Sequence, residues 1–198
     1  MQADNQTMNT GSVKSFRMIP GEVIEHYRRN DLFCGLKAFA YDMNGLLRHG
    51  CKLTEPQAEA VRLLDAAIAE APVSESNLVF FRGCSETDYL LSDQNEEFLS
   101  CSFLSLSKNP MEAARFATSH TGEPSYLLMV VIPDGGAPLL RISDDAAGSL
   151  ENDEWLPPRG LRFRSYPWDG TSGVNEEDIW GLHFQIPYAR NRRLELIS

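Results

Sequence analysis

The chain has 198 residues, 42% of them hydrophobic and 10% aromatic, enough for one domain with a full core. Its formal net charge of -10 argues against nucleic acid as the main partner, because phosphate backbones are bound by clustered Lys and Arg. No stretch approaches the roughly 18 apolar residues of a membrane span, and the N-terminus lacks the charged-then-apolar pattern of a signal peptide.

Residues 1–12 are polar and bury too little apolar surface to offset their ordering. Residues 1–15 are therefore read as a disordered N-terminus and 16–198 as a single domain. The polar N-terminus is also compatible in composition with an export signal for translocation. A short helix is expected from Pro20 to about Asn30, with Val23, Ile24 and Tyr27 on one side. A second is expected over 33–48, from Phe33, Leu36, Ala40, Met43 and Leu47 at spacings of three and four. Thr54 with Gln57 three residues on reads as a capped start, followed by an apolar stripe of Val61, Leu63, Leu64 and Ile68. Pro72 stops that helix.

Strands then take over. Leu78–Phe81 is a short apolar run, and Phe98–Leu106 reads as an alternating strand. Asn109-Pro110-Met111-Glu112 reads as an N-cap, a first-turn proline and a capping glutamate. Tyr126–Ile132 is a buried strand. Leu139–Ile142, Glu154–Leu156, Arg162–Arg164, Leu182–Ile186 and Leu194–Ile197 are further strands. Helices first and strands later point to α+β rather than alternating βαβ units.

Several chemistries are not signalled. The chain has no GxGxxG, no phosphate-binding P-loop, no HExxH and no GxSxG. The cysteines at 34, 51, 84 and 101 form no CxxC and have no accompanying histidine spacing, so no metal site is expected. Cys34, Cys84 and Cys101 lie in apolar stretches and are read as buried free thiols. Arg159, Arg162 and Arg164, and the tail Arg190, Arg192 and Arg193, are either a local basic groove or a solvated face.

Three stretches stand out. Phe80-Phe81-Arg82-Gly83 ends an apolar strand on an arginine. Phe103-Leu104-Ser105-Leu106-Ser107 places two serines on one strand face. Asn152-Asp153-Glu154-Trp155-Leu156-Pro157-Pro158-Arg159-Gly160 opens a strand on a glutamate. Singly, each is an ordinary strand end or edge. In this order, on three strands, they resemble the Arg-Ser-Glu active site of bacterial mono-ADP-ribosyltransferases of the toxin and effector type. The resemblance extends to Phe103, Ser105, Ser107, Ala113, Phe116 and Ala117, which match a pattern like F-x-S-T-S, then Ala, then Phe-Ala. It extends to Glu154, Leu156, Pro158, Gly160 and Phe163-Arg164, which match the frame after the family's E-x-E. Tyr41 to Arg48, with Asn44 and Leu47, looks like the family's upstream helical element.

The resemblance implies an ADP-ribosyltransferase-like fold: N-terminal helices, then a mixed or antiparallel two-sheet β core forming an NAD cleft. It implies cleavage of NAD at the nicotinamide bond and transfer of ADP-ribose to a protein side chain, without a metal. The leaving group is already cationic, and the ribose gains oxocarbenium character in the transition state. A carboxylate near the ribose stabilises that charge, and an arginine can hold the diphosphate. By position, Glu154, Arg82 and Ser105 are the catalytic set. NAD binding falls to Arg82, Gly83, Ser105, Ser107, Phe103 and Phe116, with core packing an equal reading of the two phenylalanines.

Two positions depart from the pattern. Leu106 stands where Thr is common. Asn152 stands where arginine-modifying members carry Glu, and an amide cannot act as a base. Asn152, with Glu151 and Asp153 beside it, is the expected acceptor-recognition group. It favours a threonine, serine or asparagine acceptor over arginine, on a host protein such as ubiquitin. The acidic loop 143–153 would suit a target with a basic patch. The expectation is a monomeric, secreted or translocated effector acting in host cytosol. An arginine-specific transferase, an NAD glycohydrolase and an inactive binding module on the same fold are the alternatives.

Overall fold

A computed structural model describes residues 18–84, 97–118, 126–142, 154–168 and 190–197. The expected strand at Leu182–Ile186, the loop 143–153 and residues 1–17 lie outside the described residues.

Three helices come first: α1 (Pro20–Arg29), α2 (Phe39–Arg48) and α3 (Glu55–Ala69). Helix α1 starts on Pro20, where a missing N–H costs nothing, and ends on Asn30 in the left-handed conformation at φ 50°. Helix α2 is shorter than the periodicity of 33–48 predicts. Cys34 and Gly35 both adopt positive φ, and Phe33 and Leu36 close a tight bridge through reciprocal backbone bonds. The apolar residues at 33 and 36 are thus used by a turn. Helix α3 begins as expected, on a capping box in which Gln57 Oε1 accepts the Thr54 N–H at 2.9 Å.

The strands are β1 (Leu78–Cys84), β2 (Glu97–Leu99), β3 (Leu106–Ser107), β4 (Tyr126–Ile132), β5 (Leu140–Ile142), β6 (Glu154–Leu156), β7 (Arg162–Pro167) and β8 (Arg190–Leu196), with helix α4 (Pro110–Thr118) after β3. They form one mixed sheet in the order β2-β7-β8-β4-β1-β3-β6-β5. Among the described strands only β4 and β8 run parallel. The expected two-sheet core is therefore hydrogen-bonded continuously through β4 and β1. It still closes like two layers, because one apolar cluster unites Phe163 of β7 and Leu194 of β8 with Leu106 of β3 and Phe80 of β1, and Phe98 and Trp155 pack against it.

The alternating strand expected over Phe98–Leu106 is broken. Residues 97–99 pair with β7 near one edge, whereas 106–107 pair with β1 and β6. Residues 100–105 carry the chain between these places. Their backbone groups are satisfied elsewhere: Ser100 donates to Leu161 at 2.9 Å and accepts from Gly160 at 2.7 Å.

Strand β1 separates two cores by its alternation. Phe80 points into the inter-layer cluster. Phe81 points to the other face, where it packs with Leu127, Met129, Trp168 and with Ala113 and Ala114 of α4. Further along, Ile142 and Leu156 pack against Tyr27, Phe39, Met43 and Leu64 of the three leading helices. Each fully buried large side chain here is worth roughly 1.5–3 kcal/mol of apolar transfer. Of the cysteines, Cys84 is buried, Cys34 half-buried, and Cys101 exposed. Cys101 thus departs from the buried thiol expected, because it lies on the connecting segment rather than in a strand.

Candidate active site

The site forms where β1, β3 and β6 meet the leading helices. Phe81 stands opposite Ser107, Ser107 opposite Glu154, and Glu154 opposite Ile142. Directly opposed residues share a sheet face, so Glu154 points toward the side covered by α1 to α3. Pairing of β1 with β3 stops at Phe81–Ser107. One ladder step further would set Gly83 opposite Ser105. Instead, the Ser105 carbonyl accepts a hydrogen bond from Arg82 Nη1 at 3.3 Å. Gly83 itself is paired on its other side with Leu127 of β4.

Glu154 is half-buried as a residue, but its carboxyl is surrounded by protein, which pushes its pKa above the ordinary carboxylate range. A hydrogen bond from the Ser105 side chain and the charges of Arg82 and Arg28 pull it down without cancelling that shift. A carboxyl kept partly desolvated beside two cations is an electrostatic device. Ionised, it offers a strong, fixed negative potential to a cationic group.

Arg82, Ser105 and Glu154 are therefore brought together. The other expected residues divide. Ser107 is buried, and its Oγ accepts the Asn109 N–H at 3.0 Å. Asn109 Oδ1 in turn accepts the Met111 N–H at 2.9 Å, the expected N-cap of α4. Phe103 is fully buried, edge-on to Tyr27 with ring centroids 5.7 Å apart. It belongs to the core behind the site. Phe116 is two-thirds exposed on α4. Glu151, Asn152 and Asp153 lie outside the described residues.

Three residues near the centre were given no site role by the sequence, although Asn44 lies in the element from Tyr41 to Arg48 that resembles the family's. Tyr27 of α1 is almost fully buried, and its hydroxyl lies 3.5 Å from Ser105 Oγ. Asn44 of α2 is buried, donates to the Tyr27 hydroxyl at 2.9 Å, and accepts the Phe103 N–H at 3.0 Å. Arg28 places its charge near Glu154 while bonding Glu25 at 3.0 and 2.8 Å. The available signal was a polar Asn44 beside apolar Met43 on a helix whose Tyr41 is exposed. A buried amide is a committed amide.

Behind the site, Arg159 grips Asp65 of α3 through two nitrogens and lies over the Phe103 ring at 5.2 Å. Gly160 follows at φ +81°. Arg192 donates to Ser165 at 3.0 Å, and Arg193 pairs with Glu195. These arginines serve internal contacts rather than an open basic groove.

Neither a protein-family model nor a curated protein sequence matches the chain. Solved structures do. Exoenzyme S of Pseudomonas aeruginosa, determined with human 14-3-3 protein beta and carba-NAD, matches at TM-score 0.55 and 20% identity, over 89% of this chain and 76% of that one. Plx2a, an ADP-ribosyltransferase toxin of Paenibacillus larvae, matches at TM-score 0.58 and 16% identity, over 90% and 86%. C3stau2 of S. aureus, determined with NAD, matches at TM-score 0.55 and 16% identity, over 90% and 86%. The chain has the ADP-ribosyltransferase fold. In this fold the strand-end arginine, the serine and the strand-opening glutamate converge although they are far apart in sequence. No helix among the described residues is long and apolar enough to cross a membrane.

Proposed function

We propose that the protein is an NAD-dependent mono-ADP-ribosyltransferase whose catalytic residues are Glu154, Arg82 and Ser105. The observation that carries this reading is the Glu154 carboxyl, desolvated, bonded by Ser105 and within the field of Arg82, in a fold shared with ADP-ribosyltransferase toxins. In the reaction, the bond between the ribose C1′ and the nicotinamide nitrogen breaks. Nicotinamide leaves with the electron pair as a neutral molecule. Glu154 stabilises the positive charge that develops on the ribose, Ser105 holds the carboxylate, and Arg82 binds the diphosphate. Gly83 lets the substrate approach the backbone closely. Ser107 supports the strand by fixing the start of α4, and Phe116 offers an apolar surface at its edge. The acceptor then bonds to C1′ and loses a proton.

We read the acceptor as a threonine, serine or asparagine side chain on a host protein, with ubiquitin a candidate. The reason is Asn152, which supplies hydrogen bonds but no base where arginine-modifying relatives carry Glu. An exported effector that meets its target in host cytosol fits the toxin neighbours. Labelled NAD incubated with a eukaryotic lysate and the protein tests the transfer. Mass spectrometry of the modified peptide identifies the acceptor. A labelled Thr, Ser or Asn supports the reading, and a labelled Arg contradicts the acceptor assignment. Rapid nicotinamide release with no labelled protein would make the enzyme an NAD glycohydrolase. No turnover at all would leave a binding module.

A further inference from the structure

Four hydrogen bonds form a directed chain that ends on Glu154, and their directions follow from donor chemistry. The Phe103 backbone N–H can only donate, so the Asn44 atom 3.0 Å from it is the amide oxygen. That fixes the Asn44 flip, and its Nδ2 must donate to the Tyr27 oxygen 2.9 Å away. With its acceptor side used, the Tyr27 hydroxyl has its own proton to give. The group beside it is Ser105 Oγ at 3.5 Å, the longest link of the chain. Ser105, receiving that proton, directs its own to the Glu154 carboxylate, to which its side chain is bonded. Tyr27 remains a donor throughout, because burial and the nearby Glu154 charge push its pKa up to about 12.

We propose that Tyr27, oriented by Asn44, is a positioning residue that makes Ser105 an obligate donor to Glu154 and so sets the pH at which that carboxyl ionises. A serine hydroxyl alone rotates freely and can accept as readily as donate. The chain removes that choice, since networks of aligned hydrogen bonds polarise one another. The charged and titratable groups that face Glu154 are Tyr27 and Arg28 from α1 and Arg82 from β1. Its strand neighbours Ser107 and Ile142 carry no charge, nor does Asn44 of α2. Removing the Tyr27 hydroxyl cuts the chain at its middle, taking away both the proton given to Ser105 and the acceptor of Asn44 Nδ2.

The proton chain stands independently of the reaction. Its catalytic consequence rests on the proposed cleavage of NAD by Glu154. The test is therefore first a titration. The carboxyl carbon of Glu154 is followed by NMR against pH in the wild-type chain and in Tyr27→Phe, assigned by its loss in Glu154→Gln. Tyr27→Phe should raise the Glu154 midpoint by about one pH unit. The acidic limb of kcat for nicotinamide release should move up by the same amount. Activity should then fall about tenfold on that limb and recover to within a few-fold on the alkaline plateau, with KM for NAD nearly unchanged. A purely structural role for Tyr27 would lower activity evenly at every pH and leave the midpoint in place, and that result overturns the proposal. Should Tyr27→Phe fail to fold, 3-fluorotyrosine at position 27 keeps the chain and strengthens the donor. It should lower the Glu154 midpoint, and an unmoved or raised midpoint counts against the proposal. If the midpoint moves as expected but no NAD is cleaved, the chain stands and the enzymatic reading falls.

Discussion

Glu154 carries both a chemical and a stability consequence. Burial favours its neutral form, so its folded-state pKa lies above the ordinary 4.5. For such a group, the stabilisation is complete below the unfolded value and is lost as pH rises through the folded one. Glu154→Gln, neutral at every pH, should therefore be more stable than wild type at pH 7.5, with the difference shrinking toward pH 4.5. Urea melts at both pH values check this, and equal gains at both would contradict it. Such a gain on removing a residue proposed as catalytic is the expected trade between stability and function. Arg82, Ser105 and Glu154 were legible in the sequence because their spacing follows a known pattern. Tyr27 was not, because a buried tyrosine on a helix matches no motif, and Asn44 was legible only as part of the element from Tyr41 to Arg48, with no role attached. Their importance lies in partners 78 and 59 residues away.

At the scale of elements, the site is braced from behind. Arg159 links the β6–β7 turn to Asp65 on α3, 94 residues away, and covers the Phe103 ring. Both partners are partly exposed, so solvent weakens the pair. Asp65→Ala should cost about 1 kcal/mol, seen as a lower Tm. Gly160 sits in the same turn at φ +81° with open space around its Cα hydrogens. Gly160→Ala should cost roughly 1–2 kcal/mol through backbone strain alone, and a neutral result would show that the turn relaxes. The proline start and capping box that open α1 and α3, the N-cap of α4, and the apolar run of β4 were all readable, because caps and continuous apolar runs are local signals. The break in Phe98–Leu106 was not. Its alternation is genuine, but its two ends pair with different parts of the sheet, a long-range choice that alternation does not encode. The shortened α2 failed for a similar reason, since the Phe33 and Leu36 spacing serves a bridge as well as a helix.

Across the whole molecule, the α+β class followed from helices preceding strands. The continuity of the sheet did not, because it depends on parallel pairing of β4 with β8, more than sixty positions apart. That closure puts Phe163, fully buried, into one cluster with Phe80 and Leu106 beneath the site. Phe163→Ala should cost about 3–5 kcal/mol in chemical unfolding, although Phe163 touches no expected substrate. A loss below about 1 kcal/mol would mean that the two layers do not share this core.

Cleavage of NAD through the Glu154 carboxylate is the proposed chemistry of this fold. Nicotinamide release and NAD affinity measured side by side for wild type and Glu154→Gln test it most directly. The expected result is a fall in kcat of about 100- to 1,000-fold, with the Kd for NAD unchanged within a few-fold, because the lost interaction is strongest in the transition state. Equal turnover by the two proteins, or a collapse of NAD affinity with residual turnover still high, would contradict it.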